Sequence, residues 1–375
     1  MSAMNRNGDS GSAAKVIIAG GGTGGHIFPA IAIANAIKKQ APGTVFLFVG
    51  AAGKMEMEKV PQAGYEIVGL TIAGFNRSSL IKNISLPFKL VKSFFQVAGI
   101  VRNFKPDAVI GVGGYSSFPV LRYAQSKGIP TFIHESNSFA GKANIMLGKK
   151  ATKIFTASDG MEKFFPASKI MVSGNPVRQS IISHSITKEQ ALRYFGLDTT
   201  KKTVLSIGGS LGAKNINEAV DKDIDLFAEN DLQLIWQTGK PYLSKAIERS
   251  KGKSNVYAND FLKEMEYAYT AADMVISRSG AMAVAELCLV KKPVVFVPYP
   301  FAAEDHQTAN AQSLVNKNAA IMIKDGEALN KLVPAVIELS KNANLQQEMI
   351  DNIGGLGIAN ADTIIANEIL KTIWK

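Results

Sequence analysis

The chain has 375 residues, a length that suits two domains. Of these residues 46% are apolar, which is typical of a folded chain. Its formal net charge of +11 indicates an anionic partner, either an acidic lipid surface or a phosphorylated substrate. Nucleic acid is disfavoured as a partner, since the chain has no Lys/Arg block, zinc-finger spacing or RNP-type aromatic motif.

The sequence also bears on targeting and on the redox compartment of the protein. Residues 1–14 lack the apolar region of a signal peptide, and the uncharged stretch 16–37 is interrupted by glycines and Pro29, so we expect neither a signal peptide nor a membrane span. Cys288 is the single cysteine and lies in an apolar helical stretch, which excludes an intramolecular disulfide. We therefore expect Cys288 in the core of a protein from a reducing cytoplasm.

Apolar strands and helical patterns alternate along the chain. The predicted strands of the first half are Lys15–Ala19, Thr44–Val49, Asp107–Val112, Thr131–His134, Lys153–Thr156 and Ile170–Ser173. Those of the second half are Thr203–Ile207, Leu232–Trp236, Met274–Ser277 and Val294–Pro298. Near-continuous apolar runs separated by helices are typical of parallel sheets covered on both faces. The sequence therefore predicts an α/β fold with two doubly wound, Rossmann-like domains.

A domain boundary is predicted after the segment Gly174–Arg178. Pro176 ends the first series of strands, and the following stretch Ile181–Lys188 is polar and without a pattern. The expected domains are residues 14–178 and 179–355, with residues 356–375 forming a terminal helix that packs back on the first domain.

A glycine loop occurs twice, each time at the end of a predicted strand. The first is Gly20–Gly25, followed by His26, and the second is Gly208–Ala213. Glycine lets backbone N–H groups approach an anion closely, and a following helix adds the positive end of its dipole. Two such loops predict two similar domains that face one ligand, a phosphate ester. A third cluster, Gly111–Pro119, is either a tight turn or a further substrate loop.

Several motif residues permit a structural as well as a functional interpretation. His26 can act as a general base or can bond the backbone at a helix start. Glu286 can hold a ribose diol or can lie on a helix surface. Asp305 can cap a helix. Asn137 follows a strand end and offers both a donor and an acceptor to a sugar.

The segment Leu80 to Arg102 combines a helical apolar pattern with flanking lysines. Its apolar positions are Leu86, Leu90, Val91, Phe94, Phe95, Ala98 and Val101. This pattern fits a basic amphipathic helix on an anionic bilayer, and it fits a core-facing helix with exposed lysines equally well.

Together these motifs resemble the MurG family of bacterial cell-wall glycosyltransferases. The resemblance extends over nearly the whole chain, and its motifs are Gly20–Pro29, Gly111–Pro119, His134–Asn144, Gly174–Arg178, Gly208–Ala213, Ala272–Glu286 and Asp305–Asn310. Two positions depart from the family pattern: Ser136 stands where Gln is usual, and Phe118 stands where Gly is usual. Phe118 adds bulk to a loop that is expected to approach the acceptor.

The resemblance implies a GT-B fold, in which two Rossmann-like domains face a cleft. It implies inverting transfer of N-acetylglucosamine from UDP-N-acetylglucosamine to the C4 hydroxyl of the muramyl sugar of lipid I, giving lipid II and UDP. It further implies peptidoglycan synthesis, with roles in cell shape and cell division, at the cytoplasmic face of the bacterial inner membrane. The implied partners are lipid I, an anionic membrane surface and other proteins of cell-wall synthesis. No tightly bound cofactor and no metal are expected.

The resemblance also assigns site residues. His26 is the implied catalytic base. The implied donor contacts are Thr23, Gly24, Gly25, Asn137, Arg178, Ser210, Leu262, Ala281, Met282, Ala283, Val284, Ala285, Glu286, His306 and Gln307. The implied acceptor loop comprises Gly113, Gly114, Tyr115 and Ser116.

Three alternatives are open at this point. Another UDP-sugar enzyme of the same architecture, such as lipid A disaccharide synthase or the 2-epimerase, is disfavoured by the ordered motifs. A nicotinamide-dependent oxidoreductase would need an acidic residue at the end of the second strand, where the chain has Phe48–Ala51. A non-catalytic sugar-nucleotide-binding or scaffold protein would not need His26, Arg178, Ser210 and Glu286 together.

Overall fold

The fold is described from a computed structural model that covers residues 13–73, 86–209 and 211–374. Two compact units make up the chain. Unit 1 comprises Met1–His134, Ala143–Ile154 and Thr363–Lys375, and unit 2 comprises Glu135–Lys142 and Phe155–Asp362.

The strands form two parallel sheets. The strands are β1 (Lys15–Ala19), β2 (Val45–Ala51), β3 (Ile67–Leu70), β4 (Ala108–Gly111), β5 (Thr131–Glu135), β6 (Lys153–Thr156), β7 (Ile170–Val172), β8 (Lys202–Ile207), β9 (Leu232–Gln237), β10 (Val256–Asn259), β11 (Met274–Ser277), β12 (Val294–Phe296) and β13 (Ile321–Met322). The first sheet has the order β3-β2-β1-β4-β5-β6-β7 and the second has the order β10-β9-β8-β11-β12-β13. The predicted fold class, with two doubly wound α/β domains, is confirmed.

Helices connect the strands as crossovers, and three further helices follow the last strand, β13. They are α1 (Gly24–Gln40), α2 (Glu56–Gln62), α3 (Leu86–Phe104), α4 (Ser117–Ser126), α5 (Lys142–Gly148), α6 (Gln179–Ile182), α7 (Lys188–Tyr194), α8 (Lys214–Lys222), α9 (Ile224–Glu229), α10 (Leu243–Ser250), α11 (Met265–Ala271), α12 (Ala281–Val290), α13 (His306–Val315), α14 (Ala328–Lys341), α15 (Ala343–Gly354) and α16 (Ala361–Ile373). From Thr363 onward α16 belongs to unit 1, where Glu368 Oε1 lies 3.4 Å from Lys153 Nζ.

The second sheet is buried on both faces because alternate residues of each strand point to opposite sides. Leu205, Ile235 and Val275 join the core under α7, α11 and α12. Val204 and Trp236 join the core under α8, α9 and α14. The buried indole of Trp236 donates its Nε1–H to Asn217 Oδ1 over 2.9 Å, so the largest core side chain is also hydrogen-bonded. This packing places the carboxyl ends of the strands, and the loops that follow them, at one edge of the sheet.

Candidate functional site

Unit 2 contains a cavity of about 770 Å³ at the carboxyl edge of its sheet. Its lining comes from the glycine loop after β8, the loops after β10, β11 and β12, and the start of α12. The polar side chains of the lining include Arg178, Lys214, Asn215, Gln237, Arg278, Glu286, Gln307 and Asp325. The size is that of a site for a small organic ligand.

The glycine loop after β8 owes its shape to a second loop. Gly212 has φ +74°, and a Cβ at this position would come within 1.9 Å of Thr238 O, so the two backbones pass in direct contact. Gly212 N donates to Gly209 O at 2.8 Å, and Gln237 Nε2 donates to the same oxygen at 2.9 Å. These two bonds hold the backbone of the loop at Gly209 and Gly212. Ser210, a predicted donor contact, lies outside the described residues.

Helix α8 begins where this loop ends. Its N-cap, Ala213, makes no side-chain capping bond, and Ala213, Lys214 and Asn215 all line the cavity. The first N–H groups of a helix have no partner within the helix and carry the positive end of its dipole. The exposed ammonium of Lys214 adds to this charge. This geometry is suited to an anion at the cavity wall.

Glu286 lies in the cavity wall as a nearly buried carboxyl group. Its Oε2 accepts from Tyr269 Oη at 2.9 Å, and its Oε1 lies 3.3 Å from Arg178 Nη2. Burial raises the pKa of Glu286, while the Arg178 charge and the Tyr269 hydrogen bond act in the opposite direction. Burial also raises the pKa of Tyr269. Arg178 has 52% of its side chain exposed, so its guanidinium remains accessible to an anion.

The predicted stretch Ala281 to Glu286 divides between two sides of α12. Ala283 and Glu286, three residues apart, line the large cavity. Ala281, Val284 and Ala285 line a separate cavity of about 240 Å³. Met282 packs against the hydrophobic core of unit 2.

An aromatic ring stands beside the predicted nucleobase contact. Leu262 is buried in the core and touches the cavity, while Phe261, one residue earlier, is half-exposed along the same wall. Sequence reasoning missed Phe261. The available signal was its position, because this aromatic residue follows the end of a strand at Asn259 and the polar residue Asp260. In this segment the sequence analysis considered only the residue that matches a family motif.

The loop after β12 closes another side of the cavity. Gln307 lines it, and Gln307 Oε1 accepts from Tyr299 N at 3.0 Å. His306 does not contribute to the lining, and its Nδ1 donates to Ala303 O at 2.6 Å. Glu304 and Asp305 both have φ above +50°, a costly conformation for residues other than glycine. The strain lies directly before the helix that carries Gln307.

Asn137 is held by two neighbours within unit 2. Its Nδ2 donates to Glu135 Oε1 at 3.3 Å, and its Oδ1 accepts from Asn310 Nδ2 at 3.2 Å. Asn310 Oδ1 in turn accepts from Ser138 N at 2.8 Å. Asn137 is not among the residues that line the large cavity. Asn310 is buried and connects Asn137 with Ser138 through these hydrogen bonds. The sequence analysis assigned no role to Asn310.

In unit 1 the first and third glycine loops are stacked on each other. Gly21 N donates to Gly113 O at 3.2 Å, and Gly20 N donates to Val49 O at 3.1 Å. A Cβ on Gly114 would lie 2.4 Å from Gly21 O. The N–H groups of Gly20, Gly21 and Gly22, three of the six in the first loop, therefore have partners elsewhere in unit 1. The amides of Thr23, Gly24 and Gly25 at the start of α1 are the ones left to bind an anion.

His26 lies on the first turn of α1 and is half-buried. Its Nδ1 is 3.1 Å from Gly21 O and 3.3 Å from Thr23 Oγ1. A carbonyl oxygen can only accept, so Nδ1 carries the proton and the lone pair of the neutral ring is on Nε2. A Cβ on Gly113 would lie 2.7 Å from Nε2, which explains a glycine at that position.

The rest of the predicted acceptor loop has two environments. Tyr115 is exposed, whereas Ser116 is buried. Phe118, the departure from the family pattern, is partly buried at the start of α4.

Within residues 13–73, 86–209 and 211–374, no cluster of three or more His, Cys, Asp or Glu side chains could hold a metal ion. Among the helices in these ranges, none combines the length and apolar character needed to cross a bilayer.

Comparison with known proteins identifies the family. The glycosyltransferase family 28 N-terminal domain matches residues 16–156, and the C-terminal domain of the same family matches residues 203–365. The UDP-N-acetylglucosamine--N-acetylmuramyl-(pentapeptide) pyrophosphoryl-undecaprenol N-acetylglucosamine transferase of Bacteroides fragilis is 50% identical over 375 residues, covering 99% of each chain. The chain belongs to the MurG family of glycosyltransferases. The predicted family is thereby confirmed.

Other relatives agree. The enzyme of the same name from Porphyromonas gingivalis is 45% identical over 371 residues, covering 98% of both chains. The crystal structure of Acinetobacter baumannii MurG has a TM-score of 0.78 and 30% identity, covering 96% of this chain and 99% of that one. A UDP-N-acetylglucosamine 2-epimerase structure has a TM-score of 0.61 at 14% identity, covering 96% and 95% of the two chains, and shows a shared fold only.

Proposed function

We propose that this member of the MurG family transfers N-acetylglucosamine from UDP-N-acetylglucosamine to the C4 hydroxyl of the muramyl sugar of lipid I, giving lipid II and UDP. The observation that carries the proposal is the 50% identity, over 99% of both chains, with a relative named for this transfer. In the reaction, the acceptor oxygen bonds to C1 of N-acetylglucosamine as the bond from C1 to the diphosphate oxygen breaks. The electron pair leaves with UDP, and the configuration at C1 inverts.

The cavity of unit 2 has the features that a UDP-sugar requires. The start of α8, with Lys214 and the Gly208–Ala213 loop, would bind the diphosphate and stabilise its charge as it leaves. Glu286 would accept hydrogen bonds from the ribose hydroxyls, and Arg178 beside it would contact a phosphate. Phe261 and Leu262 would contact the uracil. Gln307 and Asn137 would contact the donor sugar.

Unit 1 would bind the acceptor. The open amides of Thr23, Gly24 and Gly25 suit the diphosphate of lipid I, so we assign them to the acceptor, whereas the resemblance implied donor contacts. His26, with its lone pair on Nε2, would take the proton from the C4 hydroxyl. The exposed Tyr115 would contact the acceptor beyond Gly113 and Gly114. On this proposal the functional domains are residues 14–178 and 179–355, with residues 356–375 returning to the first.

The lipid acceptor requires contact with a membrane, and α3 offers a surface for it. Phe88, Val91 and Phe95 form an exposed apolar stripe, with exposures of 78% for Phe88 and 76% for Phe95. Lys89 and Lys92 flank the stripe, while Ser93, Val97 and Val101 are buried on the opposite side. An apolar stripe edged by lysines is suited to an anionic bilayer surface. We propose peripheral attachment at the cytoplasmic face of the inner membrane, beside other proteins of cell-wall synthesis.

The division of roles is tested by comparing two variants. His26→Ala should lower kcat by about 100-fold to 10,000-fold, the usual contribution of a general base, and leave the Kd for UDP nearly unchanged. Arg178→Ala should instead weaken UDP binding. Steady-state kinetics with a lipid I analogue and calorimetric UDP titration give both quantities. If His26→Ala weakens UDP binding as much as Arg178→Ala does, His26 belongs to the donor side and is not the base.

A further inference from the structure

A buried glutamate lies directly beneath the first glycine loop. Glu56, the first residue of α2, is 1% exposed. Its Oε2 accepts from Gly22 N at 2.8 Å, and its Oε1 accepts from Ala51 N at 2.9 Å. A Cβ on Gly21 would lie 2.3 Å from Glu56 Cδ, and a Cβ on Gly50 would lie 2.5 Å from Glu56 Cγ. Glycines at 21 and 50 therefore leave room for this carboxyl group.

The environment of Glu56 is unusual for a buried acid. Both oxygens accept hydrogen bonds, and each donor is a backbone N–H group. In the described part of the chain, no Lys, Arg or His lies within ion-pair distance of this carboxylate. Burying a charge without a cation is costly, and here the two backbone N–H groups provide the compensation. The charge is thus directed at the backbone of the loop.

The peptide that Glu56 holds is also the peptide that holds His26. Gly22 N–H and Gly21 C=O belong to one peptide group. Gly22 N donates to Glu56, while Gly21 O accepts from His26 Nδ1 at 3.1 Å. A hydrogen-bonded chain therefore runs from the Glu56 carboxylate through this peptide to the imidazole. In such a chain each bond polarises the next, so the carboxylate makes Gly21 O a stronger acceptor.

We infer that Glu56 is a positioning residue for His26: by fixing and polarising the Gly21–Gly22 peptide, it keeps the proton on Nδ1 and the lone pair on Nε2. The role of His26 as base rests on the proposed function, whereas the link from Glu56 to the tautomer rests on the hydrogen bonds. The peptide needs this restraint because Gly21 and Gly22, with φ +146° and +87°, have little intrinsic preference for their conformation. Without Glu56 the peptide can rotate, and Gly21 O then turns away from the imidazole.

A second oxygen near His26 Nδ1 makes the loss of Glu56 detectable in the tautomer of His26. Thr23 Oγ1 lies 3.3 Å from His26 Nδ1 and can either donate or accept, so it does not select a tautomer. Gly21 O, by contrast, can only accept and therefore requires a proton on Nδ1. When the Gly21 carbonyl turns away, both tautomers become accessible. Loss of Glu56 should therefore appear as a mixed tautomer population.

The experiment measures the His26 tautomer by ¹⁵N NMR of the imidazole nitrogens in the full-length chain, assigned by comparison with His26→Ala. The expected result is the Nδ1–H tautomer in the unchanged protein and a mixture in Glu56→Gln. Glu56→Gln should also lower kcat by about 10-fold to 100-fold, the usual effect of losing an orienting partner, with the Kd for UDP unchanged. Glu58→Gln on the same helix, an exposed carboxylate bonded to Lys59 and Gln62, is the matched control and should change neither quantity.

Two results would overturn the inference. One is an Nε2–H tautomer in the unchanged protein, a result that does not depend on the folding of Glu56→Gln. The other is a folded Glu56→Gln protein with the original tautomer and kcat. The rate of His26→Ala separately reports whether His26 is the base, because the spectrum reads the tautomer whatever that rate is.

Discussion

At the scale of single residues, Glu286 combines a structural cost with a proposed binding role. Its carboxyl is buried against Tyr269 and Arg178, and burial raises its pKa above the ordinary 4.5. A raised pKa in the folded state means that stability from this group is present below pH 4.5 and is lost as the pH rises through the raised pKa. The ionised form therefore costs stability but supplies the acceptor that a ribose diol needs.

UDP binding should accordingly depend on pH through Glu286. We expect the affinity for UDP to fall as the pH is lowered through the raised pKa, because the protonated carboxyl accepts more weakly. Glu286→Gln should weaken binding about tenfold or more at neutral pH and flatten this dependence. Calorimetric titration of UDP between about pH 5 and about pH 8 measures both effects. Glu189→Gln, an exposed acid on α7, is the control.

The same variant, Glu286→Gln, should also change how the free energy of unfolding depends on pH. Relative to Glu286→Gln, the unchanged protein should become less stable as the pH rises through the raised pKa of Glu286. Chemical denaturation at the two ends of that pH range gives the difference in the free energy of unfolding. A UDP affinity with the same pH dependence in both proteins would contradict the assigned role.

At this scale the sequence motifs anticipated one pair of residues that the structure brings together. Arg178 and Glu286 lie far apart in the chain, and their motifs placed both in the donor site, where the structure joins them at 3.3 Å. Tyr269 and Glu56 could not be found in the same way. Their roles come from hydrogen bonds to groups distant in sequence, and no local pattern at either position indicates such a bond.

At the scale of elements, the predicted strands occur within two residues of their expected bounds. Three strands in the described part were missed: β3, β10 and β13, all at sheet edges. An edge strand is covered on fewer sides, and these three are only partly buried, so they lack the continuous apolar run that marks a central parallel strand. An apolar sequence pattern indicates that a segment is buried, and it reveals a strand only where that strand is buried.

Helix α3 is the element whose interpretation the sequence left open. The observed helix is Leu86–Phe104, and the predicted residues 80–85 lie outside the described part. The helix has two apolar faces. Val97 and Val101 are buried on one face, whereas the other face is exposed and carries Phe88, Val91 and Phe95. Periodicity cannot separate these faces, because both consist of apolar residues at helical spacing.

The exposed stripe of α3 should determine binding to vesicles. We expect the double variant Phe88→Ser with Phe95→Ser to lower partitioning onto phosphatidylglycerol-containing vesicles at least about tenfold, because each ring contributes apolar burial in the bilayer interface. Since both rings are exposed, the fold should remain unchanged. Ile247→Ser, an exposed apolar residue on α10, is the matched control. Equal partitioning of the double variant and the control in a sedimentation assay would exclude α3 as the membrane surface.

At the scale of the whole molecule, each unit presents glycine loops at the carboxyl edge of its sheet, and the two units use them differently. In unit 2 the Gly208–Ala213 loop is shaped by Thr238 and Gly239 and leads into the open start of α8. In unit 1 the first loop is occupied by Val49, Gly113 and Glu56, which leaves the amides at the start of α1. The similarity of the motifs predicted the two domains, while this division depends on contacts that only the folded chain contains.

The most direct test of the proposed reaction is UDP release from UDP-N-acetylglucosamine, measured with and without a lipid I analogue, together with analysis of the lipid-linked product. We expect release only when the acceptor is present, with one N-acetylglucosamine–muramyl disaccharide formed for each UDP. Release or epimerisation without the acceptor, or tight UDP binding without any release, would contradict the proposal that this chain is a lipid-linked glycosyltransferase.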